Sequence, residues 1–82
     1  MKCLVSVDPG LQASPASIFV QKANSFSSEI YLTKGNRRVN AKSIMGLLNL
    51  AIAKGETIEL TATGHDQGEA LQTLGDFLQQ GD

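Results

Sequence analysis

The sequence has no tryptophan, and aromatic residues make up only 5% of its 82 residues. Such a small supply of aromatic rings argues against a nucleic-acid platform built on base stacking. The single cysteine cannot form an internal disulfide, which favours the reducing cytoplasm. One histidine and one cysteine also exclude a zinc site with the usual four His and Cys ligands.

Long apolar runs are absent as well, and none approaches the roughly 18 to 20 residues that span a bilayer. The first ten residues hold one basic residue and lack the apolar stretch of a signal peptide. With 41% hydrophobic and 18% charged residues, the chain can build one small core rather than remain disordered. We therefore expect a single domain over residues 1–82.

The charges of the chain are unevenly distributed. Residues 30–55 contain no acid, whereas residues 56–82 contain six acids and no lysine or arginine. This asymmetry indicates either a positive patch that meets an acidic partner or an added phosphate, or two ordinary solvated surfaces. The basic residues of the middle stretch are Lys34, Arg37, Arg38, Lys42 and Lys54.

Hydrophobic periodicity predicts seven elements in the order β-α-β-β-α-β-α. Ser14 and Pro15 are typical of a helix start, Gly55 is typical of the position after a helix end, and Gly35-Asn36 is typical of a hairpin. Because the strands alternate, the sheet buries one face, and the helices are expected to cover it in a two-layer sandwich. The predicted strands are 2–7, 29–34, 37–40 and 57–63, and the predicted helices are 14 to about 24 or 25, 43 to about 53, and about 67 to 80.

The middle helix is almost wholly apolar. Ile44, Met45 and Leu48 cannot all be hidden when a short helix buries only one side. Beside Lys42 they form either a docking surface or a cluster that a neighbouring loop covers. The side chains expected to face the sheet are Leu47, Leu50 and Ala51.

Ser43 is expected at the start of the middle helix. Its hydroxyl is typical of an N-cap that accepts a hydrogen bond from a backbone N–H. A phosphate at the same hydroxyl would meet free N–H groups and the positive end of the helix dipole, and Lys42 would add positive charge. Both interpretations hold together, since an N-cap serine can also be modified.

The remaining candidate groups predict little catalysis. Gln12 lies in a loop that enters a helix, which suits an anion, but an amide is neither a base nor a nucleophile that accepts phosphate. His65 precedes Asp66 with no nucleophile nearby in sequence, so it is expected to be a surface histidine. Cys3, on the inner face of a strand, is expected to be a small buried hydrophobe.

Three stretches of the chain resemble the HPr phosphocarrier family of the bacterial sugar phosphotransferase system. The resemblance covers nearly the whole chain and implies an α+β fold, an open-faced sandwich with a four-stranded antiparallel sheet and three helices. The family carries phosphate on a histidine where this chain has Gln12, and its regulatory serine is present as Ser43. This combination is similar to the Crh branch of Bacillus-type bacteria. The three stretches are GLQASPA (10–16), VNAKSIMG (39–46) and AKG (53–55).

The resemblance implies a non-catalytic regulatory phosphoprotein of carbon catabolite repression in the cytoplasm. An HPr kinase/phosphorylase would phosphorylate Ser43, and the phosphorylated form would act as corepressor for a CcpA-type repressor of the LacI family. It implies no cofactor, no metal and no direct contact with nucleic acid or membrane. The implied partner-binding residues are Gln12, Ser14, Lys42, Ile44, Met45 and Leu48.

Ser14 departs from the family, whose members usually carry an arginine that grips phosphate and partners with a rigid fork. The loss of such a contact costs about 1–3 kcal/mol when it is buried at an interface. Two alternatives therefore stay open, a phosphotransferase carrier that uses His65 and a phosphate-independent regulator of a metabolic enzyme. A monomer and a homodimer with swapped strands are both compatible with a domain of this size.

Overall fold

Four strands and three helices follow one another in the computed structural model, which describes residues 1–81. Asp82, the last of the acids counted above and the end of the predicted domain, lies outside the described residues. The elements are β1 (Lys2–Leu4), α1 (Ala13–Asn24), β2 (Glu29–Lys34), β3 (Arg37–Asn40), α2 (Ile44–Leu50), β4 (Thr57–Thr63) and α3 (Gln67–Gln80).

The four strands form one antiparallel sheet in the order β1-β4-β2-β3. Alternation decides which face is covered: Ile30, Leu32 and Leu60 are buried, whereas Tyr31 and Thr61 point to the opposite, open face. The three helices lie on the buried face, so the predicted open-faced, two-layer sandwich is confirmed.

Helices α1 and α3 close the core over the centre of the sheet. The rings of Phe19 and Phe77 lie 6.3 Å apart, and both side chains are buried. Burial of each such ring stabilises the fold by about 2–3 kcal/mol relative to exposure. The other buried residues of the two helices are Ala16, Ala23, Ala70, Leu74, Gly75 and Leu78.

Strand β1 is shorter than predicted because a helix competes for its backbone. The N–H of Val5 still donates to Glu56 O, but the N–H groups of Ser6 and Val7 both donate to Leu78 O at the end of α3. The chain therefore leaves the sheet after Leu4. Cys3 is buried as predicted.

The prediction that Ser14 caps α1 is wrong by two residues. The helix begins at Ala13, its N-cap is Gln12, and Ser14 is an exposed residue of the first turn. Pro15 is tolerated in this turn because the first four N–H groups of a helix have no intrahelical acceptor.

Helix α2 ends earlier than predicted. Ala51 takes a left-handed conformation with φ 51°, so the helix stops at Leu50, and Ala51 is exposed rather than facing the sheet. The turn directs Ile52 into the core, where it is completely buried. Gly55 is therefore not the glycine that ends α2; it lies in the turn closed by the Glu56 N–H and Ala53 O.

Candidate functional site

The loop that carries Gln12 is fastened to the segment that follows α2. The N–H of Leu11 donates to Ile52 O at 2.9 Å, and the N–H of Lys54 donates to Pro9 O at 3.1 Å. The side-chain amide of Gln12 donates weakly to the same Ile52 O at 3.4 Å. These bonds place the start of α1 beside the end of α2, so two stretches distant in sequence form one surface.

Gly10 makes this fastening possible. Its φ of +115° is a conformation that side chains disfavour, and an added Cβ would lie 2.7 Å from Lys54 N and 2.8 Å from Ala53 C. The backbone of the Gln12 loop can therefore approach the segment 52–54 only when residue 10 has no side chain.

The start of α1 lacks the side-chain hydrogen bond that usually caps the first N–H groups of a helix. Gln12 has an extended backbone and no side-chain cap bond, and Ala13 has a positive φ of 53°. Ser14 is exposed and makes no side-chain hydrogen bond within residues 1–81. An amide at position 12 can donate and accept hydrogen bonds but cannot hold phosphate covalently as an imidazole does.

Ser43 caps α2, as the sequence predicts. Its Oγ accepts a hydrogen bond from the N–H of Gly46 at 3.2 Å. The side chain is half-buried, and its hydroxyl proton remains available as a donor. The hydroxyl thus lies at the edge of the surface rather than inside the core.

Two large apolar side chains on α2 face solvent. Met45 is 65% exposed and Leu48 is 42% exposed, whereas Ile44 is half-buried. Leu47 and Leu50 on the opposite side of the helix are buried. Two large apolar side chains with this much solvent exposure on a seven-residue helix are typical of a docking surface.

Ile18 is a candidate residue that the sequence analysis missed. It is 42% exposed and lies one helical turn after Ser14 on the outer face of α1. Helix α1 packs against α2, and the side chain of Asn24 donates to Lys42 O at 3.5 Å. The spacing of Ile18 from Ser14 was the available signal. We use the name docking surface for the candidate partner-binding residues, which are Gln12, Ser14, Ile18, Ile44, Met45 and Leu48.

Two of the predicted basic residues make contacts of their own. The ammonium of Lys42 donates one hydrogen bond to Phe26 O at 2.7 Å. The guanidinium of Arg38 stacks 3.8 Å above the ring of Tyr31 on the open face of the sheet. Of the two alternatives that the charge asymmetry left open, these contacts favour ordinary solvated surfaces over one positive patch.

Lys34 belongs to a clasp at the end of α2. Its ammonium donates to Leu50 O at 3.0 Å and to Ala51 O at 3.3 Å, and lies 3.0 Å from a carboxylate oxygen of Glu56. The N–H of Ala53 donates to the other oxygen of Glu56, and this bond, with that from Lys34, lowers the pKa of Glu56. The clasp satisfies the last carbonyls of α2 and fixes where the helix ends.

His65 lies at the other end of α1, in a cluster of hydrogen bonds that joins the loop after α1 to the loop before α3. Its Nδ1 is 3.2 Å from the hydroxyl of Ser27, and Asp66 accepts bonds from the hydroxyl and N–H of Ser28 and from the N–H of Ser27. These bonds, that of the Ser28 hydroxyl first, lower the pKa of Asp66 to about 2. The 12 residues of α1 separate this cluster from Gln12 by about 18 Å.

Two further features bear on what the site can hold. Within residues 1–81, no three His, Cys, Asp or Glu side chains converge as metal ligands would. None of the helices in the same residues has the length and apolar character needed to cross a bilayer.

Comparison with known proteins identifies relatives along almost the whole chain. Residues 2–80 match the family model described as PTS HPr component phosphorylation site. The HPr-like protein Crh of Halalkalibacterium halodurans is 51% identical over 76 residues, which cover 93% of this chain and 90% of that protein.

Solved structures agree with this result. The phosphocarrier protein HPr from Bacillus anthracis superposes with a TM-score of 0.95 at 47% identity, over 96% of this chain and 94% of that one. Crh of Bacillus subtilis, described as a dimer with a swapping domain, superposes with a TM-score of 0.81 at 50% identity, over 88% and 83% of the two chains.

Proposed function

Because the chain belongs to the HPr family of the phosphotransferase system, we propose that it is a non-catalytic regulator of carbon catabolite repression. In this proposal an HPr kinase/phosphorylase phosphorylates Ser43, and the phosphorylated form is a corepressor for a CcpA-type repressor in the cytoplasm. The observation that carries the proposal is the pairing of an amide at position 12 with a capping serine beside an exposed apolar surface.

Gln12 supports the loss of carrier chemistry. The family's phosphoryl transfer needs an imidazole nitrogen that accepts phosphate and releases it again, and a carboxamide nitrogen is not nucleophilic. The loop is nevertheless well defined, with Gly10 and Ala13 both in positive-φ conformations and the N–H of Leu11 bonded to Ile52 O. A defined loop without a reactive group fits a binding role.

The surroundings of Ser43 support modification there. Phosphorylation adds a charge of about −1.5 to −2 beside the N–H groups of a helix start, where negative charge is favourable. Lys42, the residue before Ser43, donates one hydrogen bond to Phe26 O and keeps its positive charge. The phosphate would also be open to cations of a partner, while Met45 and Leu48 supply apolar contact alongside.

Intact-mass measurement in two parallel reactions tests the proposal. One reaction contains HPr kinase/phosphorylase and ATP, and the other contains the general phosphotransferase enzyme and phosphoenolpyruvate. We expect a single phosphate in the first reaction only, and none in Ser43→Ala. The matched control is Ser17→Ala, an exposed serine of α1 outside the docking surface, which keeps full labelling.

The outcomes separate the competing functions. Label in the second reaction on His65, removed by His65→Gln, would establish a carrier and contradict the proposal. Label in neither reaction would leave Ser43 as a helix cap alone. Repressor binding is then measured by calorimetry with phosphorylated protein, and equal binding of Ser43→Ala would contradict the corepressor role.

Ser14 gives a gain-of-function test of the same surface. Ser14→Arg restores the charged fork that family members usually carry, on an exposed turn where its length meets no obstacle from the core. We expect the phosphorylated variant to bind the repressor about tenfold more tightly, in line with one charge-assisted contact at an interface. Unchanged affinity would remove Ser14 from the docking surface.

A second candidate function is a phosphate-independent regulator of a metabolic enzyme. The specific observation in its favour is that Met45, Leu48 and Ile18 are exposed in the unmodified chain, before any phosphate is added. Affinity capture with Ser43→Ala as bait would retain such an enzyme, whereas the repressor would be lost.

The assembly of the chain is also a proposal. Strand β1 pairs with β4 through only three residues and is soon followed by a bend at residues 7–9, an arrangement that favours exchange of the strand between two copies. We propose a homodimer in equilibrium with the monomer, which light scattering over a range of concentrations measures. A mass that stays monomeric at millimolar concentration would contradict it.

A further inference from the structure

The chain holds only three sulfur atoms, in Met1, Cys3 and Met45. Cys3 is 1% exposed, and burial raises the pKa of its thiol, so the reactive thiolate is scarce. A peroxide that approaches from solvent therefore meets the two methionines rather than the cysteine. The usual redox-sensitive residue of a protein is shielded here.

The two methionines differ in how they are held. Met1 is 44% exposed, its side chain lies against Gly75 of α3, and its ammonium donates to Leu60 O at 2.7 Å. Met45 is 65% exposed in the first turn of α2, two residues after Ser43 and within the docking surface. The most accessible sulfur of residues 1–81 thus lies where the proposed partner is expected to bind.

We propose that Met45 is an oxidation site at which hydroperoxides convert the thioether to a sulfoxide and thereby weaken partner docking on α2. The proposal rests on the proposed function for its consequence, although not for its chemistry. The sulfur lone pair attacks one peroxide oxygen, the O–O bond breaks and an S–O bond forms. With hydrogen peroxide the second oxygen departs as hydroxide and takes the proton of the attacked oxygen to become water, and the sulfur loses the two electrons that the peroxide gains.

The sulfoxide changes the surface in a specific way. It replaces an apolar, flexible side chain by a polar one, and its S–O dipole loses water when a partner covers it. Net charge is unchanged, so the phosphate on Ser43 keeps its own contacts. We expect the affinity of the phosphorylated chain for the repressor to fall about tenfold on oxidation.

The first measurement needs no partner. The two methionine methyl groups, labelled with carbon-13, give two NMR signals whose decay in dilute hydrogen peroxide reports each oxidation separately. We expect the signal of unoxidised Met45 to decay several times faster than that of Met1. Mass spectrometry should show that the Cys3 thiol stays reduced. Faster oxidation of Met1 or of Cys3 would overturn the assignment of the site.

The second measurement compares each phosphorylated protein with its own untreated sample in repressor binding. Wild type loses affinity on peroxide treatment and regains it after incubation with methionine sulfoxide reductase, whereas Met45→Leu is unaffected by either treatment. Equal loss in Met45→Leu, or no loss in wild type, would overturn the inference. If the untreated wild type does not bind, the proposed function fails instead, and the oxidation rates remain a separate result.

Discussion

The two ends of helix α1 differ in how completely their polar groups are used. At the Asp66 end (Ser27, Ser28, His65 and Asp66), one carboxylate accepts bonds from two hydroxyls and two N–H groups. At the Gln12 end (Gly10 to Ser14), the N-cap makes no side-chain cap bond, and the Gln12 amide reaches its one acceptor at 3.4 Å. The end with the more reactive residue types, His65 and Asp66, is the one whose side chains bond to one another, whereas the end with plain amide and hydroxyl groups makes one weak side-chain bond.

The largest expected effect breaks the Gln12 end. Gly10→Ala places a Cβ against backbone atoms of residues 52–54, and the backbone on both sides is fixed by hydrogen bonds. We expect a loss of about 3 kcal/mol in the free energy of unfolding, measured by urea titration. The control is Gly55→Ala, where φ is +97° but nothing lies within 4 Å, with an expected loss of about 1–2 kcal/mol. Equal losses in the two variants would show that the close approach at Gly10 costs nothing.

The next effect tests the Asp66 end. Ser28 is buried, and its hydroxyl donates to Asp66 while its N–H donates to the same carboxylate. Ser28→Ala removes the hydroxyl bond alone, with an expected loss of about 1–2 kcal/mol in the free energy of unfolding. Ser27→Ala, at an exposed hydroxyl, is the matched control with a smaller loss, and the reverse order would contradict the structural role assigned to Ser28.

The same end determines part of the acid stability. The pKa of Asp66 is about 2 in the folded chain and 3.8 ordinarily, so the folded state binds this proton less readily than the unfolded state. Its contribution to stability is complete above the ordinary pKa and is lost as the pH falls toward 2. Urea midpoints from pH 7 to pH 2 should therefore fall less steeply for Asp66→Asn than for wild type. Parallel curves would show that Asp66 is not held by these bonds in solution.

The sequence predicts the elements that depend on local patterns. The alternation of Ile58 and Leu60 gives β4 its observed bounds, the apolar stripe of α3 does the same, and Ser43 is the predicted cap of α2. The errors arise where a group distant in sequence determines where an element ends. Leu78 O draws the chain away after Leu4, and no local pattern contains that information.

The candidate site shows the same division. The exposure of Met45 and Leu48 follows from the apolar excess of one short helix, which can be read locally. The direction of the Lys42 ammonium depends on Phe26 O, which is 16 residues away in sequence. The exposure of Ile18 was not predicted, because the residue type alone does not determine whether an apolar side chain of a helix faces the core or water.

A smaller effect concerns the clasp that Lys34 and Glu56 form at the end of α2. Lys34→Met removes the donor to Leu50 O and Ala51 O together with the contact to Glu56. We expect the amides of α2 to exchange hydrogen several times faster, with a smaller change in urea midpoint than Ser28→Ala gives. Arg37→Met on the adjacent strand is the control, and similar exchange in both variants would show that the clasp does not hold α2.

The smallest effect on stability is expected from a substitution at Ile18. This substitution tests most directly whether the Gln12 end of α1, unlike the Asp66 end, serves binding rather than stability. Ile18→Gln exchanges a 42% exposed side chain for a polar one of good helix propensity, so the free energy of unfolding should change by less than about 0.5 kcal/mol. Repressor affinity of the phosphorylated chain should nevertheless fall, since the docking surface loses apolar area at its α1 side. Gln79→Ala on the exposed face of α3 is the control, with neither quantity changed. Unchanged affinity in Ile18→Gln would confine docking to α2 and the Gln12 loop, and would return Ile18 to the ordinary surface.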